Sequence, residues 1–207
     1  TGNAIKKTNV KPVLIGRLGG YYDMKYFKSC DHLIGNTPDV VQYLVNCGWP
    51  PERAHYVPNF VSEFSGNRIP RRDLKIPGSA TVALAAGRLH PNKAFDVLIH
   101  ALEKTKNIYL LVAGEGRDKQ KLEKLARTLG VSERVRFLGW RDDIQDLMAS
   151  ADMLVSPSRI EPLGNVILEA WAAGLPVVAT NSQGPAWLIQ NKQNGLITPV
   201  DDPEALS

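Results

Sequence analysis

Arg159-Ile-Glu161-Pro-Leu-Gly164-Asn165-Val-Ile-Leu-Glu169-Ala-Trp-Ala-Ala-Gly174-Leu-Pro176-Val-Val-Ala-Thr180 is the stretch that decides the fold of this chain. It lies between two short apolar strands, Met153 to Ser156 and Pro176 to Thr180. Between them sits a loop-to-helix junction, the kind of edge at which an open α/β sheet presents a ligand site. Pro162 has the fixed φ suited to a first helical position, Gly174 suits a helix end, and Pro176 stops the helix from continuing. These signals predict a helix from about Leu163 to Ala173.

Glu161 stands before that helix and Glu169 inside it, eight positions apart (169 − 161 = 8). Gly164 and Asn165 leave backbone amides accessible in the first turn, and a helix N-terminus with free amides favours anions or sugar oxygens. A carboxylate beside such a site accepts hydrogen bonds from hydroxyls. Glutamate is also common in first turns because of the macrodipole alone. Taken singly, each Glu is open to a structural or a binding role.

Outward from this stretch, strand and helix alternate from Ala80 onward. Strands are expected at Thr81 to Ala86, Ile108 to Ala113, Val135 to Leu138, Met153 to Ser156, Pro176 to Thr180 and Gly195 to Thr198. Phe95, Leu98, Ile99 and Leu102 mark one helix face, and Leu122, Leu125, Ala126 and Leu129 another. Further helical segments are expected near Asp142 to Ser150 and Pro185 to Asn191. This pattern predicts an α/β fold with a doubly wound, Rossmann-like parallel sheet. The first 60 residues form a shorter set of the same kind: Pro12 to Leu18, His32 to Asn36 and His55 to Pro58 as strands, Tyr22 to Ser29 and Pro38 to Cys47 as helices. Ser62 to Ser79 is polar, carries Pro70, Pro77, Gly66 and Gly78, and has no sustained period. Residues 1–61 therefore read as the closing part of a first domain, 62–79 as a linker and 80–207 as a second domain. The chain opens Thr-Gly-Asn-Ala and stops where a helix begins to form, so both ends read as cut and a fragment is expected.

The 207 residues are 43% hydrophobic and 22% charged, ordinary globular material with enough apolar residues for a substantial core. The apolar runs are too short to cross a bilayer, and a cytoplasmic location is expected. Cys30 and Cys47 stand alone and His32, His55, His90 and His100 follow no zinc spacing, so two mostly buried thiols and no metal are expected. A net charge of +4 suits nucleotide phosphates or peripheral contact with an acidic membrane surface. Arg117, Lys119, Lys121, Lys124 and Arg127 crowd one helix, but aromatic residues for base stacking are not interleaved. That run reads as a solvated face, and no nucleic-acid partner is expected.

Gly87-Arg88-Leu-His-Pro-Asn-Lys93 follows the first strand of the second domain and leads into a helix. Cations near a helix N-terminus are disfavoured by about 0.3–1 kcal/mol each. Two of them at one junction make sense around a strong anion such as a diphosphate, where unit charges about 4 Å apart at an effective dielectric near 20 attract by about 4 kcal/mol. A plain basic surface loop is the competing reading. Gly114-Glu-Gly116 after the second strand, and Gly139-Trp140-Arg141 after the third, lie at the same sheet edge. No G-x-G-x-x-G fingerprint is present, which argues against a dehydrogenase.

In this order, Gly87-Arg88-Leu with Lys93, Val112-Ala-Gly114-Glu-Gly116, Phe137-Leu-Gly139 and the Glu161 to Thr180 element resemble the nucleotide-sugar domain of group 1 (family 4) retaining glycosyltransferases. The resemblance is strong from Ala80 onward and weaker over residues 11 to 61. It implies a glycosyltransferase-B architecture, two Rossmann-like domains facing across a cleft with the donor held mainly by the second. By the same resemblance Arg88 and Lys93 bind the donor diphosphate and stabilise the charge that develops as it leaves, and Glu161 contacts the hexose. The backbone of Leu163, Gly164 and Asn165 assists, Glu169 binds the ribose hydroxyls, and Trp140 and Arg141 lie where relatives hold the base, with Gly114 and Gly116 nearby. No cofactor is implied beyond a UDP- or GDP-sugar co-substrate, and the acceptor is a glycan or a lipid-linked sugar of a surface polysaccharide or lipopolysaccharide. Ala94 replaces the usual Gly after the Lys, which affects backbone approach, and Trp187 stands where many relatives have Glu. Two other readings share the pattern: a nucleotide-sugar epimerase of the same fold, and a nucleotide-binding module inactive as this fragment.

Overall fold

The computed structural model describes residues 12–207. They divide into two compact units, the second beginning at Val61. The first is a parallel three-stranded sheet in the order β1 (Ile15–Leu18), β2 (His32–Gly35) and β3 (Ala54–Tyr56), with helix α1 (Pro38–Asn46) between the last two. Thr37 caps α1 by accepting a hydrogen bond from the Val40 amide at 3.1 Å, and Pro38 follows it at the first helical position. Val40 and Leu44 of α1 pack onto Leu18 and Leu33 of the sheet.

Three expectations for this unit need correction. Strand β1 starts at Ile15 rather than at residue 12, because the Leu14 amide is taken by the Asp31 carboxylate at 2.8 Å. The helix expected over Tyr22 to Ser29 is a single 3₁₀ turn, Met24–Tyr26. Tyr22 and Tyr26 are 53% and 72% exposed, and only Met24 and Phe27 of this segment pack on the core, too little buried surface to hold a longer helix. Cys47 is exposed at the end of α1, and Cys30 is half-buried.

The second unit is a six-stranded, all-parallel sheet in the order β6 (Val135–Gly139), β5 (Ile108–Ala113), β4 (Thr81–Ala86), β7 (Met153–Ser156), β8 (Val177–Thr180) and β9 (Leu196–Thr198). In chain order its elements are β4 (Thr81–Ala86), α2 (Phe95–Lys104), β5 (Ile108–Ala113), α3 (Lys119–Thr128), β6 (Val135–Gly139) and α4 (Ile144–Ser150). Then follow β7 (Met153–Ser156), α5 (Asn165–Ala172), β8 (Val177–Thr180), α6 (Gln183–Leu188), β9 (Leu196–Thr198) and α7 (Pro203–Leu206). Alternate residues of β4 feed two cores: Val82 and Leu84 pack with Leu111, Leu147, Leu154 and Ile167 on one face, Ala83 and Ala85 with Ile99, Leu110 and Leu122 on the other. In α3, Leu122 and Ala126 are buried while Lys121, Lys124 and Arg127 face solvent. Counted from β4, the strand order reverses between β4 and β7, which opens a crevice beyond their C-terminal ends.

Helix boundaries shift where local chemistry intervenes. Helix α5 starts at Asn165, two residues later than the prolines suggest, because Gly164 adopts φ +91° and breaks the turn that Pro162 would begin. Helix α4 starts at Ile144, after Asp143. Helix α6 covers Gln183–Leu188 instead of running on to residue 191, and Trp187 on it is exposed.

Residues 61–79 contain no long helix or strand, yet they run as a strap along the second unit. The Ser65 and Asn67 amides donate to Gln145 Oε1 and Asp146 Oδ1, and the Ile69 amide donates to Ser150 Oγ, all on α4. Gly66 is needed there, since a Cβ would stand 2.2 Å from the Gln145 carbonyl oxygen. Arg71 donates from Nη2 to both Asp152 oxygens at 3.1 and 2.9 Å, and Leu74 and Ile76 enter the core. Among the described residues no helix is long and apolar enough to cross a membrane.

Candidate functional site

Beyond the C-terminal ends of β4, β5 and β6 the chain makes three glycine-dependent bends held together by backbone. The Gly87 amide donates to Ala113 O at 2.9 Å, the Gly114 amide to Gly139 O at 2.7 Å, and the Leu89 amide to Glu115 O at 2.9 Å. Gly114 has φ +143°, and a Cβ on it would lie 1.9 Å from the Gly87 carbonyl oxygen. The strand ends can therefore close on one another only with glycine at this position.

These bends wall an open cavity of about 670 Å³ at the crevice between β4 and β7. Arg88, Lys93, Gly114, Trp140, Arg141, Glu161, Asn165 and Glu169 all line it. Eight of the eleven residues singled out in the sequence thus meet in one cavity. Gly116, Leu163 and Gly164 are not among the residues that line it. Gly116 packs on Leu89, whose carbonyl oxygen would be 2.2 Å from a Cβ, and Leu163 is 4% exposed. Gly164 supplies the bend into α5.

Lys93 closes a 3₁₀ turn, Pro91–Lys93, in which His90 Nδ1 accepts from the Asn92 amide at 3.2 Å. The next residue, Ala94, is fully buried and left-handed at φ +50°, a conformation that glycine adopts without the steric cost an alanine bears. Lys93 Nζ is ion-paired with Glu161 Oε2, and Ser158 Oγ donates to the same oxygen at 3.3 Å. Glu161 is 8% exposed. Its main chain is held by α6: the Gly184 amide donates to Glu161 O at 2.7 Å, and the Glu161 amide to Gln183 Oε1 at 3.4 Å. Gly184 permits this, because a Cβ would lie 2.2 Å from the Leu163 carbonyl oxygen.

Arg88 is exposed and forms no ion pair among the described residues. Arg141 instead forks onto Asp143, donating from Nε at 2.6 Å and from Nη2 to the second oxygen. Trp140 projects beside it, 79% exposed. Glu169 is half-buried, and burial pushes its carboxyl above the usual range. No hydrogen bond to this carboxylate occurs among the described residues.

A raised carboxyl pKa means that the native state holds its proton more tightly than the unfolded chain does. Stability therefore falls as pH rises from the ordinary Glu range through the raised value. We expect Glu169→Gln to raise Tm at pH 7 to 8, with a difference that fades as pH drops below the ordinary Glu range. Thermal unfolding across that pH range checks it, and equal Tm values at pH 8 would mean that the carboxylate is already compensated.

The residue that sequence reasoning passed over is Arg159. Its guanidinium reaches both oxygens of Asp96 at 3.0 and 2.8 Å, Asp201 Oδ1 at 2.6 Å and the Pro91 carbonyl at 2.8 Å. An arginine directly before Ile160-Glu161 carries no periodic signal, and its partners are remote in sequence. Gln183 and Gly184 were hidden for the same reason.

Residues 80–207 match the family model described as Glycosyl transferases group 1. The lipopolysaccharide core biosynthesis glycosyltransferase LpsE of Rhizobium meliloti (strain 1021) is 40% identical over 93% of the chain, and LpsD of the same strain is 32% identical over 96%. The chain spans 57% and 58% of the lengths of these two proteins. Among solved structures, Anabaena Alr3699/HepE in complex with UDP-glucose superposes with a TM-score of 0.83 at 25% identity, over 93% of this chain and 60% of that one. WaaG, a glycosyltransferase involved in lipopolysaccharide biosynthesis, gives a TM-score of 0.73 at 31% identity, over 83% of this chain and 50% of that one. These relatives lend no support to the epimerase reading. A family match over residues 80–207, joined to a rhizobial relative 40% identical along nearly all of the chain, means that this protein belongs to the group 1 glycosyltransferases and has their glycosyltransferase-B fold.

Proposed function

We propose that the cavity holds a nucleotide-diphosphate hexose, and that the protein moves the hexosyl group, with retention of configuration, to a glycan or lipid-linked acceptor of a surface polysaccharide or lipopolysaccharide. The observation that carries this is the gathering of Arg88, Lys93, Glu161 and the unpartnered Glu169 in one cavity at the strand-order reversal. UDP-glucose in the complex of HepE supports the donor class, and the names of LpsE and LpsD support the pathway.

Arg88 and Lys93 face the diphosphate. Expelling a nucleoside diphosphate needs preorganised positive charge, and one well-placed donor is worth about 3–4 kcal/mol of barrier. In this reading that charge comes from the two side chains and no resident metal is needed. Lys93 exchanges its Glu161 partner for phosphate oxygen as donor binds, which leaves Glu161 to accept hydrogen bonds from hexose hydroxyls. Glu169, held in a low-dielectric wall without a partner, accepts from the ribose hydroxyls. The exposed Trp140 offers its face to the base, with Gly114 and the Asn165 backbone beside the phosphates and sugar. The net charge of +4 suits an acceptor presented at an acidic membrane surface.

Calorimetric binding of UDP, GDP and ADP and their hexose conjugates tests the reading. The chain is expected to select one base, and an Arg88→Ala/Lys93→Ala double variant to lose at least about tenfold in affinity, since hydrogen bonds to charged groups contribute about 1.5–3 kcal/mol each. Unchanged affinity in the double variant would remove the diphosphate from this cavity.

A further inference from the structure

Lys93 and Glu161 stand on loops that the sheet alone does not join. Strands β4 and β7 pair only at Ala83–Met153 and Leu84–Leu154, so beyond Leu84 and Leu154 the two chains part. What crosses the gap is Arg159. Its Nη1 and Nη2 donate to the two oxygens of Asp96 in the first turn of α2 at 3.0 and 2.8 Å, and Nη1 also donates to Pro91 O at 2.8 Å, in the turn that ends at Lys93. Its Nε donates to Asp201 Oδ1 at 2.6 Å, tying in the turn after β9. The main chain follows, with the Arg159 and Ile160 amides both donating to Asn92 O at 2.8 and 3.2 Å.

The arrangement is stiff. Arginine presents a planar fork that matches a carboxylate with two parallel bonds, and this fork is three-sided, with two acids and one carbonyl around it. The Arg159 and Asp96 side chains are 29% and 33% exposed, so water only partly screens them. Burial opposes ionisation of Asp96, yet hydrogen bonds and charge from Arg159 hold its carboxyl below the usual range. The pair is thus ionised at neutral pH.

We propose that Arg159 is the positioning residue of the Lys93–Glu161 pair, locking the 91–93 turn to the 157–161 loop so that the ammonium and the carboxylate meet the diphosphate and the hexose at one fixed spacing. The inference rests on the donor reading above. It assigns to Arg159 no contact with substrate.

A double-variant cycle in the 207-residue chain tests it, with UDP, GDP and ADP binding measured by calorimetry. Lys93→Ala in the parent chain is expected to weaken the selected diphosphate about tenfold or more. In an Arg159→Ala background the same substitution should matter about fivefold less, because a lysine on a loosened turn has already lost its placement. Arg159→Lys should not restore the coupling, since an ammonium cannot make the fork. Additive effects, with Arg159→Ala and Lys93→Ala each acting independently, overturn the positioning role. A Lys93→Ala variant that binds like the parent, or a parent that binds none of the three, overturns the donor reading and this inference with it. If Arg159→Ala does not fold by its thermal transition, Asp96→Asn takes its place in the same cycle, because it halves the fork from the other side.

Discussion

Glu161→Ala is expected to lower turnover at saturating donor by about a hundredfold or more, in the protein that carries this chain. Two losses combine. On the proposed donor reading the hexose loses an acceptor for its hydroxyls, and Lys93, whose side chain is only 27% exposed, loses its ion-pair partner. A freed Lys93 is then available to phosphate without first leaving Glu161. Affinity for the nucleoside diphosphate alone should therefore hold steady or rise while turnover collapses, a split that uniform damage to the site would not produce. Glu161→Gln separates the parts, because it keeps an acceptor oxygen and removes the charge. Wild-type turnover in Glu161→Ala would remove Glu161 from the reaction.

Gly114→Ala is expected to destabilise the second unit by about 3 kcal/mol or more, from overpacking and a disfavoured backbone region together. The added Cβ would meet the Gly87 carbonyl oxygen at 1.9 Å, backbone that cannot swing aside without parting β4 from β5. A fall in Tm of about 10 °C or more is the expected reading. Gly78 is the internal control: nothing lies within 4 Å of its Cβ position and its φ is not in the left-handed region. Gly78→Ala should be neutral or slightly stabilising through the unfolded chain. Similar losses at both sites would mean that the contact between Gly114 and Gly87 is not what holds the strand ends together.

Much of this architecture is readable in the sequence because buried parallel strands are continuous apolar runs. Thr81–Ala86, Ile108–Ala113 and Met153–Ser156 fall where the runs fall, since a strand covered on both faces has no polar positions to blur its ends. Helices with a buried stripe, such as Phe95–Lys104, are legible for the same reason. The helix expected at residues 22 to 29 shortens to one turn because only Met24 and Phe27 reach the core, while Tyr22 and Tyr26 stay exposed. In the cavity, Arg88, Lys93, Glu161 and Glu169 are visible as chemistry placed at strand ends. Arg159 with Asp96 and Asp201, and Gly184 beneath Leu163, are not, because their roles exist only as contacts across 63, 42 and 21 residues (159 − 96, 201 − 159, 184 − 163). The close approach of Gly116 to the Leu89 carbonyl oxygen, 2.2 Å from a would-be Cβ, is equally invisible in the sequence.

The strap at residues 61–79 bears on how the second unit can be made in isolation. An expression boundary at Ala80, where the apolar periodicity begins, would strip Leu74 and Ile76 from the core and leave the Gln145, Asp146 and Ser150 acceptors of α4 without the amides they now receive. The product would carry a bare greasy flank beside Leu147 and Met148, a surface inviting self-association and insolubility. A start at Val61 keeps that flank clothed, so the cut belongs nineteen residues upstream of where composition alone would place it (80 − 61 = 19).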